Sequence, residues 1–247
     1  MRHKDKTVRN IGEVVDALRG KVDSRAPVWF RGHADSSWSL VPSLARSARI
    51  AKGEAALIKR FKQNAVSFLP PGSRTEFEWL FLMQHHRLPT RLLDWTESPL
   101  TALFFAVEEE PSKDGSLWCL DPIALNEFAN IKFDLGVEIP AFDHDDVMEN
   151  YLPTRIASET TSKLNPIAAM ASRNSPRISA QLGVFTITHR DHLPIETLGA
   201  GKHVWRLRIP ARQKKALREE LGILRLSRLT LFPELDQVAT HALETLP

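Results

Sequence analysis

The sequence has little of several things. Only one of its 247 residues is cysteine, Cys119, so no internal disulfide can form and a reducing compartment is expected. No apolar run approaches the length of a membrane span, and the first residues are polar and charged, without the apolar core of a secretion signal. These absences predict a cytoplasmic protein without membrane contact. The net charge is only +3, which permits an anionic ligand, nucleic acid included, without demanding one. There is no glycine-rich phosphate loop, no Gly-x-Ser-x-Gly elbow and no metalloprotease motif. Histidine and cysteine show no regular ligand spacing, so no metal ligand is assigned. Aromatic residues are not interleaved with basic ones, which argues against stacking on single-stranded nucleic acid. No internal repeat or low-complexity segment stands out.

What is present centres on residues 84–106, where polar side chains lie between two apolar runs. Phe77, Leu80 and Phe81 recur at helical spacing, and Thr75 with Glu78 forms a capping box that starts that helix. Ser98 is a good N-cap and Pro99 a good first helical residue. Leu100, Leu103, Phe104 and Val107 then form a stripe, with Ala102, Phe105 and Ala106 on the other side. A helix apolar nearly all round is buried. The residues between the helices read as a polar connection shaped by Pro89. Polar groups trapped between buried elements must bond one another or a ligand.

The other elements follow from periodicity. Asn10 and Glu13 start a helix that stops at Gly20. Val28 to Phe30 is a short strand delivering Arg31 and Gly32 to its end. A helix over Glu54 to Phe68 faces Leu57, Ile58, Phe61, Ala65 and Phe68 inward. Strands are expected over Ser116 to Leu120, Val184 to Ile187 and His203 to Ile209. Lys214, Lys215 and Arg218 read as a solvated helix face, and Cys119 as core. A last helix places Leu235, Val238 and Ala242 inward. Residues 130–176 carry little pattern beyond a helix over Asp145 to Leu152. Strands and helices do not alternate strictly, so the expected class is α+β, with helices packed around a small mixed or antiparallel sheet. Residues 1–24 read as an N-terminal helical extension and 25–247 as one domain.

Phe30-Arg31-Gly32, the run from Gln84 to Thr96, residues 38–46 and Leu231-Phe232-Pro233-Glu234-Leu235-Asp236 together resemble the FRG domain family. A looser resemblance, of order rather than identity, is to ADP-ribosyltransferases of the arginine–serine–glutamate type. It rests on Arg31, then Leu92 to Ser98, then Ala102 to Ala106, then Arg177 to Phe185, with Gln181 near where the glutamate falls. It implies an ADP-ribosyltransferase-like fold with NAD as the cofactor-substrate.

Under that resemblance Arg31 and Gly32 hold the pyrophosphate or ribose, and Thr96 and Ser98 orient the nicotinamide ribose. His85, Thr90 and Arg91 complete the binding set. Asp94, Glu97 and Gln181 are the catalytic candidates, with Glu159 as another carboxylate to recruit. The implied activity is an NAD-using ADP-ribosyltransferase or NAD glycohydrolase of bacterial, phage-defence or toxin type, with a macromolecular acceptor. Two other readings stand beside it. One is a non-catalytic module that binds a nucleotide or protein partner through the Arg31 pocket. The other is a metal-dependent nuclease using His85, Asp94, His144 and Asp146. Without a ligand, Arg31 would form a buried pair with Asp94, Ser98 would cap a helix and Gln181 would tie the backbone.

Overall fold

A computed structural model describes residues 1–22, 26–131, 139–159 and 161–246. The chain begins with β1 (Lys6–Thr7), α1 (Ile11–Leu18) and β2 (Trp29–His33). Short helices α2 (Ala48–Lys52) and α3 (Glu54–Ala65) lead into α4 (Glu76–His85). Then come β3 (Leu92–Thr96), α5 (Pro99–Glu108), β4 (Gly115–Leu120) and α6 (Pro122–Phe128). The second half holds α7 (Pro153–Ser158), β5 (Ile167–Ala169), α8 (Pro176–Ala180), β6 (Gly183–Ile187) and β7 (Val204–Ile209). It closes with α9 (Lys214–Ile223), α10 (Arg228–Leu231) and α11 (Leu235–Glu244).

Among the described residues the strands form one seven-stranded sheet in the order β1-β7-β4-β2-β3-β6-β5. Only the β1–β7 pair is parallel. The fold is therefore α+β on a mixed sheet. β1 extends the sheet and α1 packs Val14, Ala17 and Leu18 into its core, so the N-terminal segment is built into the same sheet. The domain boundary expected at 24–25 falls outside the described residues.

Alternation along the strands builds two faces. One face carries Phe30, Leu117, Cys119 and Leu207 under α1, α5 and α9, and farther along it Leu92, Phe185 and Ile187 lie under α4. The other carries Trp29, Leu93, Trp95 and Trp118, covered by Leu40, Leu125 of α6 and Ile195. Cys119 is buried, as core was expected to be, and burial pushes its thiol pKa up.

The helix starts follow the expected signals. Thr75 and Glu78 form the capping box of α4, and Ser98 caps α5 with Pro99 in its first turn. α5 is buried along most of its length. Gly32 allows that burial. A Cβ there would sit 1.9 Å from the Ala102 carbonyl oxygen and 2.6 Å from the Ala106 nitrogen.

Several expectations change. Arg31 and Gly32 do not end β2, because the ladder with β4 continues through Gly32 and His33. The connection before α5 is not irregular, since Leu92–Thr96 is a strand paired with β6 along its whole length. The helix expected over Asp145 to Leu152 is present as a 3₁₀ helix, Asp146–Tyr151. Phe68 is exposed, as are Leu235, Val238 and Ala242 of the last helix, so none of them faces the core. Lys214 is not on a solvated face. It is 1% exposed, and its Nζ donates to the carbonyls of Ala34, Glu109 and Glu110 at 2.6, 2.9 and 2.8 Å. The acidic run at the end of α5 opposes the helix dipole, and this ammonium offsets it.

Candidate functional site

β2 and β3 are the weak seam of the sheet. β2 pairs with β4 over five residues and β3 with β6 over five, yet β2 and β3 share one register pair, Phe30 with Thr96. Beyond it the strands part. Arg31 fills the gap, its guanidinium donating to the Asp94 carbonyl oxygen at 2.6 Å. A side chain thus takes over where the backbone ladder stops.

A cleft of about 610 Å³ opens at this seam. Its lining includes Phe30, Arg31, Gly32, Asp94, Thr96 and Phe185 from the sheet, and Phe81, Gln84 and His85 from α4. Thr101, Ala102 and Phe105 of α5, Arg177 and Ile178 of α8, Gln181, and Arg228 of α10 complete much of the boundary. Such a size is ordinary for a small-molecule site.

Two hydrogen-bond chains hold the polar floor. In the first, Arg31 Nε donates to His33 Nε2 at 3.1 Å, and His33 Nδ1 bonds the Trp38 carbonyl at 3.2 Å. Accepting from an arginine leaves Nδ1 as the protonated nitrogen of a neutral ring. Burial, and then the Arg31 charge, push the His33 pKa down to about 3. Burial also lowers the Arg31 pKa, with Asp94 opposing, but a guanidinium stays charged in proteins. In the second chain, the Thr90 hydroxyl donates to Gln84 Oε1, which turns the Gln84 amide nitrogen toward Asp94 Oδ1 at 2.6 Å. The carboxylate is fixed by one oxygen while its side chain stays 59% exposed. Its Oδ2 stands 3.8 Å from Arg31, whose side chain is 19% exposed.

The His33 shift has a consequence for stability. The unfolded chain takes up a proton below pH 6.5, whereas folded His33 resists until about pH 3. Stability present above 6.5 is therefore lost progressively across that window as the pH falls. His85, His192 and His203 are shifted down in the same direction by burial and add to the slope. Urea midpoints are expected to fall from pH 7 to pH 4, and less steeply in His33→Gln. Identical slopes in the two proteins would remove His33 from the account.

The expected site residues divide. Arg31, Asp94, Thr96, His85 and Gln181 converge on the cleft. Gly32 also borders it, but its role is to admit α5 against β2. Thr90 is fully buried and acts on Asp94 only through Gln84. Arg91 is buried away from the cleft against Glu54, so it is not placed to bind a cofactor. Ser98 accepts from Thr101 N, the capping role. Glu97 pairs with Arg173, and Glu159 pairs with Arg155 at 3.1 Å; neither carboxylate lines the cleft. Gln181 sits beside the floor, yet its amide donates to the Leu231 carbonyl at 2.9 Å, and its own carbonyl accepts from Thr96 at 2.6 Å. It ties α8 and α10 to β3.

His144 and Asp146 line a different hollow from His85 and Asp94. No group of three or more potential ligating side chains is assembled among the described residues. The four residues of the nuclease reading are thus not brought together.

A model of the FRG domain matches residues 26–115. The chain carries an FRG domain. The match spans β2, α4, β3 and α5, and so takes in Arg31, His33, Gln84 and Asp94. A search of curated proteins and a search of solved structures each returned no match. Beyond the matched residues, side chains between Asn174 and Phe185, with Arg228, supply the far wall of the cleft. His33, Gln84 and Arg177 were not assigned as site residues from sequence. Gln84 lies inside a family-like run, His33 directly follows Phe30-Arg31-Gly32, and Arg177 opens the stretch from Arg177 to Phe185 that carries the looser resemblance, which was the available signal.

Proposed function

We propose that the cleft binds NAD and cleaves its nicotinamide–ribose bond, as an ADP-ribosyltransferase or NAD glycohydrolase does. One observation carries this reading. A held guanidinium, Arg31, stands beside a solvent-facing carboxylate, Asp94, where the sheet opens. Arg31, Arg177 and Arg228 on the lining suit a pyrophosphate, and Phe81 and Phe105 supply apolar walls for the rings. As nicotinamide leaves with the electron pair of the bond, positive charge develops on the ribose. A fixed carboxylate stabilises such charge without reorganising. Asp94 is the candidate for that role, because Gln84 holds one of its oxygens and leaves the carboxylate open to the cleft.

Nicotinamide release from NAD tests this. Asp94→Asn should lower kcat by about a hundredfold, the scale of losing one preorganised charge-stabilising group, while calorimetry still detects NAD binding. Heat of binding without turnover in the wild-type protein would favour a non-catalytic nucleotide module. Neither heat nor turnover at millimolar NAD would end the NAD reading.

A further inference from the structure

The segment Leu231 to Glu234 lies outside the matched FRG residues and has no role in the reading above. It reaches the cleft wall at three points. The Leu231 carbonyl accepts from Gln181, Phe232 packs edge-on against Phe105, and the Arg177 guanidinium lies over the Phe232 ring at 4.6 Å. These contacts place Glu234 Oε1 between two cationic or titratable groups, 3.8 Å from His85 Nε2 and 3.7 Å from Arg177. That oxygen is buried and has no hydrogen-bond partner among the described residues.

His85 is at the last turn of α4, next in sequence to Gln84, which holds Asp94. The helix stops there because Arg87 turns left-handed at φ 61°, with Arg87 N bonding the Gln84 carbonyl and Leu88 N that of Met83. His85 therefore projects from a capped helix end rather than from a loop. Its Nε2 is the nitrogen that faces Glu234, so an Nε2–H directed at that carboxylate leaves Nδ1 as a lone-pair acceptor.

We propose that His85 is the general base of this cleft, oriented by Glu234, and that it takes its proton from the water or acceptor group that attacks the ribose. The proposal rests on the NAD reading for its substrate. As the attacking oxygen bonds C1′, the bond from C1′ to nicotinamide breaks and its electrons leave on nicotinamide. The proton of the attacking group passes to His85 Nδ1 and then to solvent. The separation from Glu234 is longer than a hydrogen bond, and such pairs commonly tighten only when substrate is bound. Three charged or titratable groups act on the ring: Glu234, Arg177 and His86. Burial lowers the His85 pKa below 6.5, Glu234 opposes this, and Arg177 and His86 reinforce it. The ring is thus unprotonated and ready to accept at neutral pH.

The test is the pH profile of nicotinamide release, read in three proteins. In the wild type, kcat should fall on the acid side below pH 6.5, as His85 gains its proton. In His85→Ala that limb should vanish and kcat should drop by roughly a hundredfold or more, with free imidazole restoring part of the rate. In Glu234→Gln, loss of the charge that raises the His85 pKa should move the limb to lower pH, with a rate reduced by about tenfold. A purely structural role would lower the rate without moving the limb or responding to imidazole, and that pattern would overturn the proposal. So would a His85→Ala rate equal to wild type, which would leave the NAD reading standing. Wild-type protein that released no nicotinamide would remove both. Thermal melts of the three proteins separate misfolding from lost chemistry, and His85→Gln serves if the alanine variant is unstable.

Discussion

Gly32→Ala is expected to abolish the cooperative unfolding transition, or to lower stability by more than about 3 kcal/mol. The added methyl would lie 1.9 Å from the Ala102 carbonyl oxygen, 2.6 Å from the Ala106 nitrogen and 3.0 Å from the Ala102 carbonyl carbon. All three are backbone atoms of a buried helix, so no flexible side chain can move aside. Relief requires α5 to lift from β2. That would open the core that Ala102, Leu103, Ala106 and Val107 share with Leu117 and Cys119. A domain has only about 5–15 kcal/mol in hand, so such a displacement consumes much of it. Gly222→Ala is the control. It lies in α9 with nothing within 4 Å of the added methyl, so a gain of about 0.5 kcal/mol is expected from helix propensity. Urea melts of both variants settle the matter, and a Gly32→Ala protein as stable as wild type would show that α5 is not held against β2 as described.

The same glycine shows what a sequence discloses and what it withholds. Arg31-Gly32 suggested backbone left open for an anion, because a glycine next to an arginine has that meaning in isolation. The partner that gives Gly32 its role is a helix turn some seventy residues later. Local signals were legible: the Thr75–Glu78 box, the Ser98-Pro99 start and the alternation in β7 all needed only neighbours along the chain. β3 was not. Five residues with an aspartate in the middle resemble a polar link until β6 supplies the ladder. Lys214 was hidden for a similar reason, since the carbonyls it caps belong to other elements.

The cleft divides along the same line. Arg31 and Asp94 were expected to meet, and they do, at 3.8 Å. Gln181 was expected nearby and lines the same space, but its hydrogen bonds are a structural tie. Glu234 was written in a motif whose meaning depends on contact with His85, far earlier in the chain, whereas Gln84 engages Thr90 and Asp94 within its own run. Position within a family-like run pointed to the neighbourhood. Only the fold showed which atom each side chain engages.

Arg91→Ala is expected to cost roughly 3–5 kcal/mol, the scale of breaking a buried ion pair from one side. Arg91 is 3% exposed, and each of its nitrogens is engaged. Nε donates to Glu54 Oε1 at 2.8 Å, one terminal nitrogen pairs with Glu54 Oε2, and the other donates to the Thr188 and His189 carbonyls at 3.0 and 2.9 Å. The alanine leaves Glu54, itself 8% exposed, as an uncompensated buried carboxylate, and strands two carbonyls. The Arg31–Asp94 pair is the contrast. Its carboxylate is mostly solvated and its separation is long, so Asp94→Ala should cost no more than about 1 kcal/mol. Arg91→Leu combined with Glu54→Leu should recover much of the loss, because removing both charges leaves nothing unpaired except the carbonyls. Urea melts of the four proteins make the comparison. An Arg91→Ala loss below about 1 kcal/mol would mean that water reaches the pair. The expected order, Arg91 costly and Asp94 cheap, separates the charge that holds β3 in place from the charge left open to solvent.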